Sequence, residues 1–168
     1  MVSGKRAKRS GRVHWLSSEE ELGWRALATV MHRLRWALEC QLERDAGLSF
    51  IEYHALARLS EDPAHTLRMS TLASVTNASL SRLSHLVKRL EGWGFVHREP
   101  DPDNGRYTNA VLTEAGYAKL VASAPAHVAA VRQLVVDEFS PSELDQLRRF
   151  CERIVARVEA SAWRQELT

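Results

Sequence analysis

The chain has 168 residues, 45% apolar and 26% charged, with 23 Lys+Arg against 21 Asp+Glu and a formal net charge of +2. That composition excludes wholesale disorder and fibrous repeats, and the length suits a single domain carrying appended elements. No apolar run approaches the ~18 residues of a membrane span, and the basic N-terminus has no apolar stretch behind it. Neither a membrane segment nor a secretory signal is therefore expected. Two cysteines, Cys40 and Cys151, cannot build a disulfide framework and point to a reducing compartment, the cytoplasm.

Charge is unevenly spread. Lys5, Arg6, Lys8, Arg9 and Arg12 give the first stretch +5 with no acid, leaving −3 for the rest of the chain. Residues 1–16 read as a basic, disordered arm. Ser-x-x-Glu patterns then stand before apolar periodic runs: Ser17 to Glu20, with Ser18 to Glu21 as a competing frame, Ser49 to Glu52, and Ser140 to Glu143. Each reads as a capping box, in which the Ser oxygen takes an orphan backbone N–H and the Glu reaches back to the cap. A first helix is expected over about 18–45, with Trp24, Leu27, Met31, Leu34, Leu38 and Leu42 on one stripe. Trp36 and Cys40 fall on another face, so this helix is apolar on two sides and expects partners on both. Gly47 ends it. A second helix over about 50–60 shows Ile51, Leu56 and Leu59 and stops at Asp62-Pro63.

Two short helices follow, Met69–Val75 and Ser79–Glu91, joined by Thr76-Asn77-Ala78. A tight turn with an Asn able to adopt the left-handed conformation matches a helix-turn-helix. Phe95–Glu99 and Tyr107–Leu112 read as strands, with Asn104-Gly105 between them as a hairpin signal. Pro100 and Pro102 keep the arms from pairing into the tip. Thr113-Glu114 opens a long helix carrying Val121, Val128, Val131, Leu134 and Val135, which Pro125 should kink. A last helix from Pro141 carries Leu144, Leu147, Phe150, Ile154 and Val158.

Between Asp62 and Glu91 lie 28 residues without a carboxylate, holding Arg68, Arg82, Lys88 and Arg89. A locally basic, acid-free stretch is the footprint of a phosphate-binding surface. Within it, helical geometry gathers Leu80, Leu83, Leu86, Val87 and Leu90 on one wall. Ser81, Arg82, His85, Lys88 and Arg89 lie opposite. A solvated amphipathic helix explains the wall equally well but not the missing acids, since surface helices usually mix both signs. The donors suit DNA: Ser79, Ser81, Arg82, Ser84 and His85 at base edges, Lys88 and Arg89 at phosphates. Arg106, just past the hairpin tip, would enter the minor groove, and Arg98 stands on the opposite arm. Arg106 alternatively pairs with Asp101 or Asp103.

Residues 49–113 resemble the MarR family (multiple-antibiotic-resistance regulators), which are winged helix-turn-helix transcription factors. The resemblance rests on Leu86-Val87-Lys88-Arg89-Leu90-Glu91-Gly92-Trp93-Gly94-Phe95-Val96-His97-Arg98, then Asp101-Pro102-Asp103-Asn104-Gly105-Arg106, then Val111-Leu112-Thr113-Glu114-Ala115-Gly116. It implies a mainly α fold with a small β wing, a winged helix-turn-helix flanked by N- and C-terminal dimerisation helices. It further implies a homodimer that sets the Ser79–Glu91 helix in the major groove and the wing in the minor groove of double-stranded DNA. The family's wing usually carries Asp two residues before the Arg, where this chain has Asn104. A small organic effector is also a family expectation, with Trp24, Trp36, Tyr53 and His54 as candidate lining. Independently, surplus apolar faces on the flanking helices argue for dimerisation.

The expected organisation is a basic arm (1–16), N-terminal dimerisation and supporting helices (17–62), the DNA-binding region (63–112) and C-terminal dimerisation helices (113–168), one domain overall. The seven His form no i, i+4 pair and no Cys/His cluster, so no metal is expected. No nucleophile elbow, phosphate loop or paired carboxylates mark an enzyme, and no cofactor is expected. The expected function is a cytoplasmic, homodimeric repressor on a pseudo-palindromic operator, released by a small molecule. The competing readings are a helical protein-interaction dimer and a thiol-based redox sensor using Cys40 and Cys151.

Overall fold

The computed structural model describes residues 13–166, with side chains described through residue 161; the expected arm at 1–16 lies outside this range up to position 12. The described chain forms two compact units, residues up to Arg35 and residues from Trp36 on, and helix α1 (Ser18–Ala46) contributes to both. The Ser17 frame of the first capping box is the one used. Ser17 N–H donates to the Glu20 carboxylate at 2.7 Å, and Glu20 N–H donates to Ser17 Oγ at 3.3 Å. Three acids in the first turn, Glu19, Glu20 and Glu21, suit the positive end of the helix dipole.

Helix α1 ends at Gly47, whose φ of 61° no β-carbon opposes. Leu48 N–H then reaches back to Leu42 O at 3.3 Å and Gly47 N–H to Glu43 O at 3.0 Å, which satisfies the last carbonyls. Ser49 caps α2 (Phe50–Glu61) with a complete capping box through Glu52. The short strand β1 (Thr66–Arg68) follows, then α3 (Met69–Val75) and α4 (Leu80–Gly92). Asn77, in the turn between these helices, has φ 51°, the left-handed conformation expected of it. Strands β2 (Val96–Pro100) and β3 (Thr108–Leu112) form the hairpin, and β1 adds to its other edge in the order β1-β3-β2, antiparallel throughout. The register pairs Arg68 with Asn109 and Pro100 with Thr108, so pairing stops where Pro100 begins the tip.

The core of this unit is Leu48, Leu56, Leu59, Leu72, Leu83, Val87, Leu90, Val96, Ala110 and Leu112, drawn from α2, α3, α4 and the sheet. Leu80 departs from the expected wall. It is 59% exposed at the first residue of α4, at the edge of an open cleft, and Leu83, Leu86, Val87 and Leu90 make the wall without it.

Helix α5 (Glu114–Leu134) runs on through Pro125 without ending there. Its buried positions are Gly116, Leu120, Ser123 and His127, one stripe at spacings of four and three, while Val121, Val128 and Leu134 stay exposed. A short 3-10 turn (Val136–Glu138) leads to α6 (Pro141–Glu166), whose first turn carries the Ser140–Glu143 capping box. Phe150, Ile154, Val155 and Val158 project from α6 uncovered.

Candidate nucleic-acid interface

Helix α4 is held on one side by its buried leucines and valine, which turns the opposite side outward. Ser79 caps it, accepting the Arg82 N–H at 3.3 Å. Ser81, Arg82, His85, Lys88 and Arg89 are exposed on the outer face, and Ser84 is half-buried at its edge. No acid stands in the first turn of α4. Among the described residues, no ion pair engages Arg82, Lys88 or Arg106.

Two of the expected phosphate and wing cations are committed within the protein. Arg89 pairs through Nε with Glu52 of α2, whose carboxylate is buried and whose other oxygen serves the Ser49 cap. The Arg89 guanidinium also lies over the Trp93 ring, 5.9 Å from its centre. Arg98 forms a two-pronged pair with Glu91: Nε to the two carboxylate oxygens at 3.1 and 3.0 Å, Nη2 to Oε2 at 2.6 Å. The Arg98 bond holds the Glu91 carboxyl below the usual carboxylate range. The acid that closes the acid-free window is thereby neutralised from the hairpin.

The hairpin rises beside α4. Between them lies a cleft of about 390 Å³ lined by Leu80, Ser84, Arg68, Arg98, Arg106 and Tyr107. Arg106 does not pair with Asp101 or Asp103. Asp101 is occupied by Arg68, Nε to Oδ2 at 2.7 Å, and Asn104 Oδ1 accepts the backbone N–H of Arg106 at 3.2 Å. The pairing of Arg68 with Asp101 is not legible in the sequence. The three-residue strand that carries Arg68 is too short to show alternation, and the pair joins positions far apart in the chain.

The four candidate effector residues are placed differently from one another. Trp24, in the first unit, and Trp36, in the second, are both exposed. Tyr53 and His54 sit on α2 with Phe50 and His127 close by: the His54 ring lies 4.4 Å from Phe50 and the Tyr53 ring 4.5 Å from His127. His127 Nδ1 meets Gln41 Oε1 at 3.0 Å, and Gln41 Nε2 donates to Asp45 at 3.1 Å. With the Gln41 nitrogen spent on Asp45, its oxygen faces the ring, so His127 carries its proton on Nδ1. Burial holds both His54 and His127 below the ordinary histidine range; the Arg58 cation adds to the effect at His54, and His54 adds to it at His127. Gln41 and His127 have no local sequence signature.

Of the two thiols, Cys40 is half-buried and Cys151 exposed. The arginines nearest them in sequence have carboxylate partners: Arg44, one turn from Cys40, pairs with Asp45, and Arg148, three residues before Cys151, pairs with Asp145 and Glu152. Among the described residues, no group of three or more His, Cys, Asp or Glu could hold a metal ion, and no helix is long and apolar enough to cross a membrane.

A capped helix-turn-helix whose second helix shows an acid-free donor face, followed by a hairpin that pairs with the strand before the two helices, defines a winged helix-turn-helix protein. Comparison with known proteins narrows the class. The sequence profile of the MarR family matches residues 48–108. A MarR family transcriptional regulator from Streptomyces coelicolor, solved in complex with DNA, is 43% identical with a TM-score of 0.81, over 86% of this chain and 89% of that chain. AbsC, another MarR family transcriptional regulator of Streptomyces coelicolor, is 36% identical with a TM-score of 0.83, over 88% of this chain and 99% of that chain. No curated protein matches. The chain belongs to the MarR family of transcriptional regulators, which are not enzymes.

Proposed function

We propose that the chain is a cytoplasmic, homodimeric repressor that reads a pseudo-palindromic DNA duplex. In this reading α4 lies in the major groove with Ser79, Ser81, Arg82, Ser84 and His85 at base edges. Lys88 holds phosphates, and Arg106 enters the minor groove. The observation that carries it is the outer face of α4, rich in donors and free of acids, whose edge at Leu80 and Ser84 lines one cleft with Arg106. Arg89 and Arg98 support that surface from within by keeping Glu52 and Glu91 paired.

Dimerisation is supported by the apolar residues that one chain leaves uncovered on α6, a single stripe of Phe150, Ile154, Val155 and Val158. A two-fold dimer would set its two reading helices ~34 Å apart, one turn of DNA. Release by a small organic effector is the reading for the aromatic and imidazole cluster around Tyr53, His54 and His127, with Trp24 and Trp36 as further candidates.

The test is binding to duplexes selected by the protein from random DNA, and to the DNA upstream of its own coding sequence. A salt-sensitive complex with an inverted-repeat preference is expected. An Arg82→Ala/Arg106→Ala double variant with unchanged duplex affinity would sink the assignment. Loss of the protein should raise transcription from the bound promoter; a fall would make it an activator and overturn the repressor reading.

A further inference from the structure

The wing tip is built around one carboxylate. Asp101 is only 6% exposed. Its Oδ1 accepts the backbone N–H groups of Asp103 at 3.1 Å and Asn104 at 3.0 Å, and its Oδ2 accepts Arg68 Nε at 2.7 Å. The loop closes behind it: Asp101 N–H donates to Tyr107 O at 3.0 Å and Tyr107 N–H to Asn104 O at 2.9 Å. At the far foot of the loop the Arg68 guanidinium lies over the Tyr107 ring, 4.9 Å from its centre. Arg68 therefore grips the loop at both ends, Asp101 and Tyr107, and Arg106 is the residue just inside the second grip.

Among the described residues, no hydrogen bond or ion pair holds the Arg106 side chain, and Asn104 spends its side-chain oxygen on the Arg106 backbone N–H. Its direction must come from the loop backbone. That backbone is fixed by a carboxylate whose position depends on a cation from another strand, whose end is itself pinned by the Arg68–Asn109 register. The Asp101 carboxyl lies below the usual range because of the Arg68 bond, so both partners are charged near neutral pH.

We propose that Arg68 and Asp101 are the positioning pair of the DNA-binding wing, acting through the loop to aim Arg106 into the groove. The proposal rests on the DNA-binding reading of α4 and the wing. It adds β1, which lies outside the hairpin and the two reading helices, to the apparatus that fixes minor-groove contact. Arg68 lines the same cleft as Arg98 and Arg106.

A double-mutant cycle on a selected duplex, with the full chain, tests it. Arg68→Gln and Arg106→Gln should each lower affinity about thirtyfold, the middle of the range for a lost base or groove contact. Together they should cost little more than either alone, because the first acts through the second. Arg82→Ala, on α4, should multiply with Arg68→Gln instead. Arg68→Lys keeps the charge but loses the planar fork and should fall between wild type and Arg68→Gln. Where Arg68→Gln reduces the folded fraction, Asp101→Asn runs the same cycle, since its amide oxygen still serves the two loop amides. Multiplying losses for positions 68 and 106 would overturn the proposal and leave the DNA reading intact. Unchanged affinity in both Arg82→Ala and Arg106→Gln would overturn the DNA reading itself, and the proposal with it.

Discussion

Arg82 and Arg89 sit on the same face of α4 and do different work, because one has no carboxylate partner and the other is bound to a buried one. Arg82→Ala should cost about 1–3 kcal/mol of duplex affinity and relax the preference at one base position. Lys88→Ala should weaken all sequences alike and lower the salt slope by about one phosphate contact. Gel shifts over a salt series separate the two. Arg89→Ala should act first on folding. It strands the Glu52 carboxylate in the core, which costs about 1–3 kcal/mol or more for a charged group, read as a lower denaturant midpoint. The outward placement of all these residues was legible in the sequence from helical spacing alone. The division of labour among them was not, because Glu52 lies on another helix and sequence spacing says nothing about contacts between helices. The same holds for Arg106, whose expected acidic partners are taken by Arg68 and by the loop's own amides.

Whole elements were most legible where their ends are written locally. Ser49, Ser140 and Thr113 cap as their neighbours indicate, Asn77 turns left-handed, and Asn104-Gly105 marks the hairpin. Strand β1 was not legible, since three residues carry no period. The start of α5 is tied to the root of β2. Thr113 Oγ1 donates to Gly94 O at 2.7 Å, and Thr113 N–H donates to Phe95 O at 3.1 Å. A β-carbon on Gly116 would lie 2.1 Å from that Phe95 oxygen and 2.8 Å from Leu112 Cδ1. Gly116→Ala should therefore destabilise the fold by about 1–3 kcal/mol or more, although Ala is the better helix former; thermal unfolding checks the sign. On the same helix, burial depresses His127, with an ordinary value of 6.5 in the unfolded chain. The unfolded state thus binds the proton first. The stability this histidine contributes is complete above about pH 6.5 and is lost as pH falls through its lower folded value. His127→Gln should flatten that acid limb, measured as denaturant midpoints from about pH 7.5 to about pH 5.

For the molecule as a whole, the near-neutral total hides a division of charge. The one acid on α4, Glu91 near its end, is paired with Arg98, and the outer face of the helix carries no other, so a chain of net charge +2 still presents an acid-free donor face. The flanking helices were legible as helices, but not for which side of α5 is buried, because His127, Ser123 and Gly116 are not apolar side chains. The stripe on α6 makes a prediction at this scale. If the chain pairs through this stripe as proposed, Ile154→Asp should shift it from dimer to monomer by light scattering and lower duplex affinity steeply, since two tethered half-sites bind far more tightly than one.

The close approach at Gly116 has a mechanical consequence. The root of β2 and the first turn of α5 share two hydrogen bonds and a contact too tight to admit a methyl group, so they form a joint without play. The two feet of the hairpin are thereby tied together at the start of α5, so a displacement of that first helical turn would load the base of the wing directly, through Thr113 and the Phe95 carbonyl.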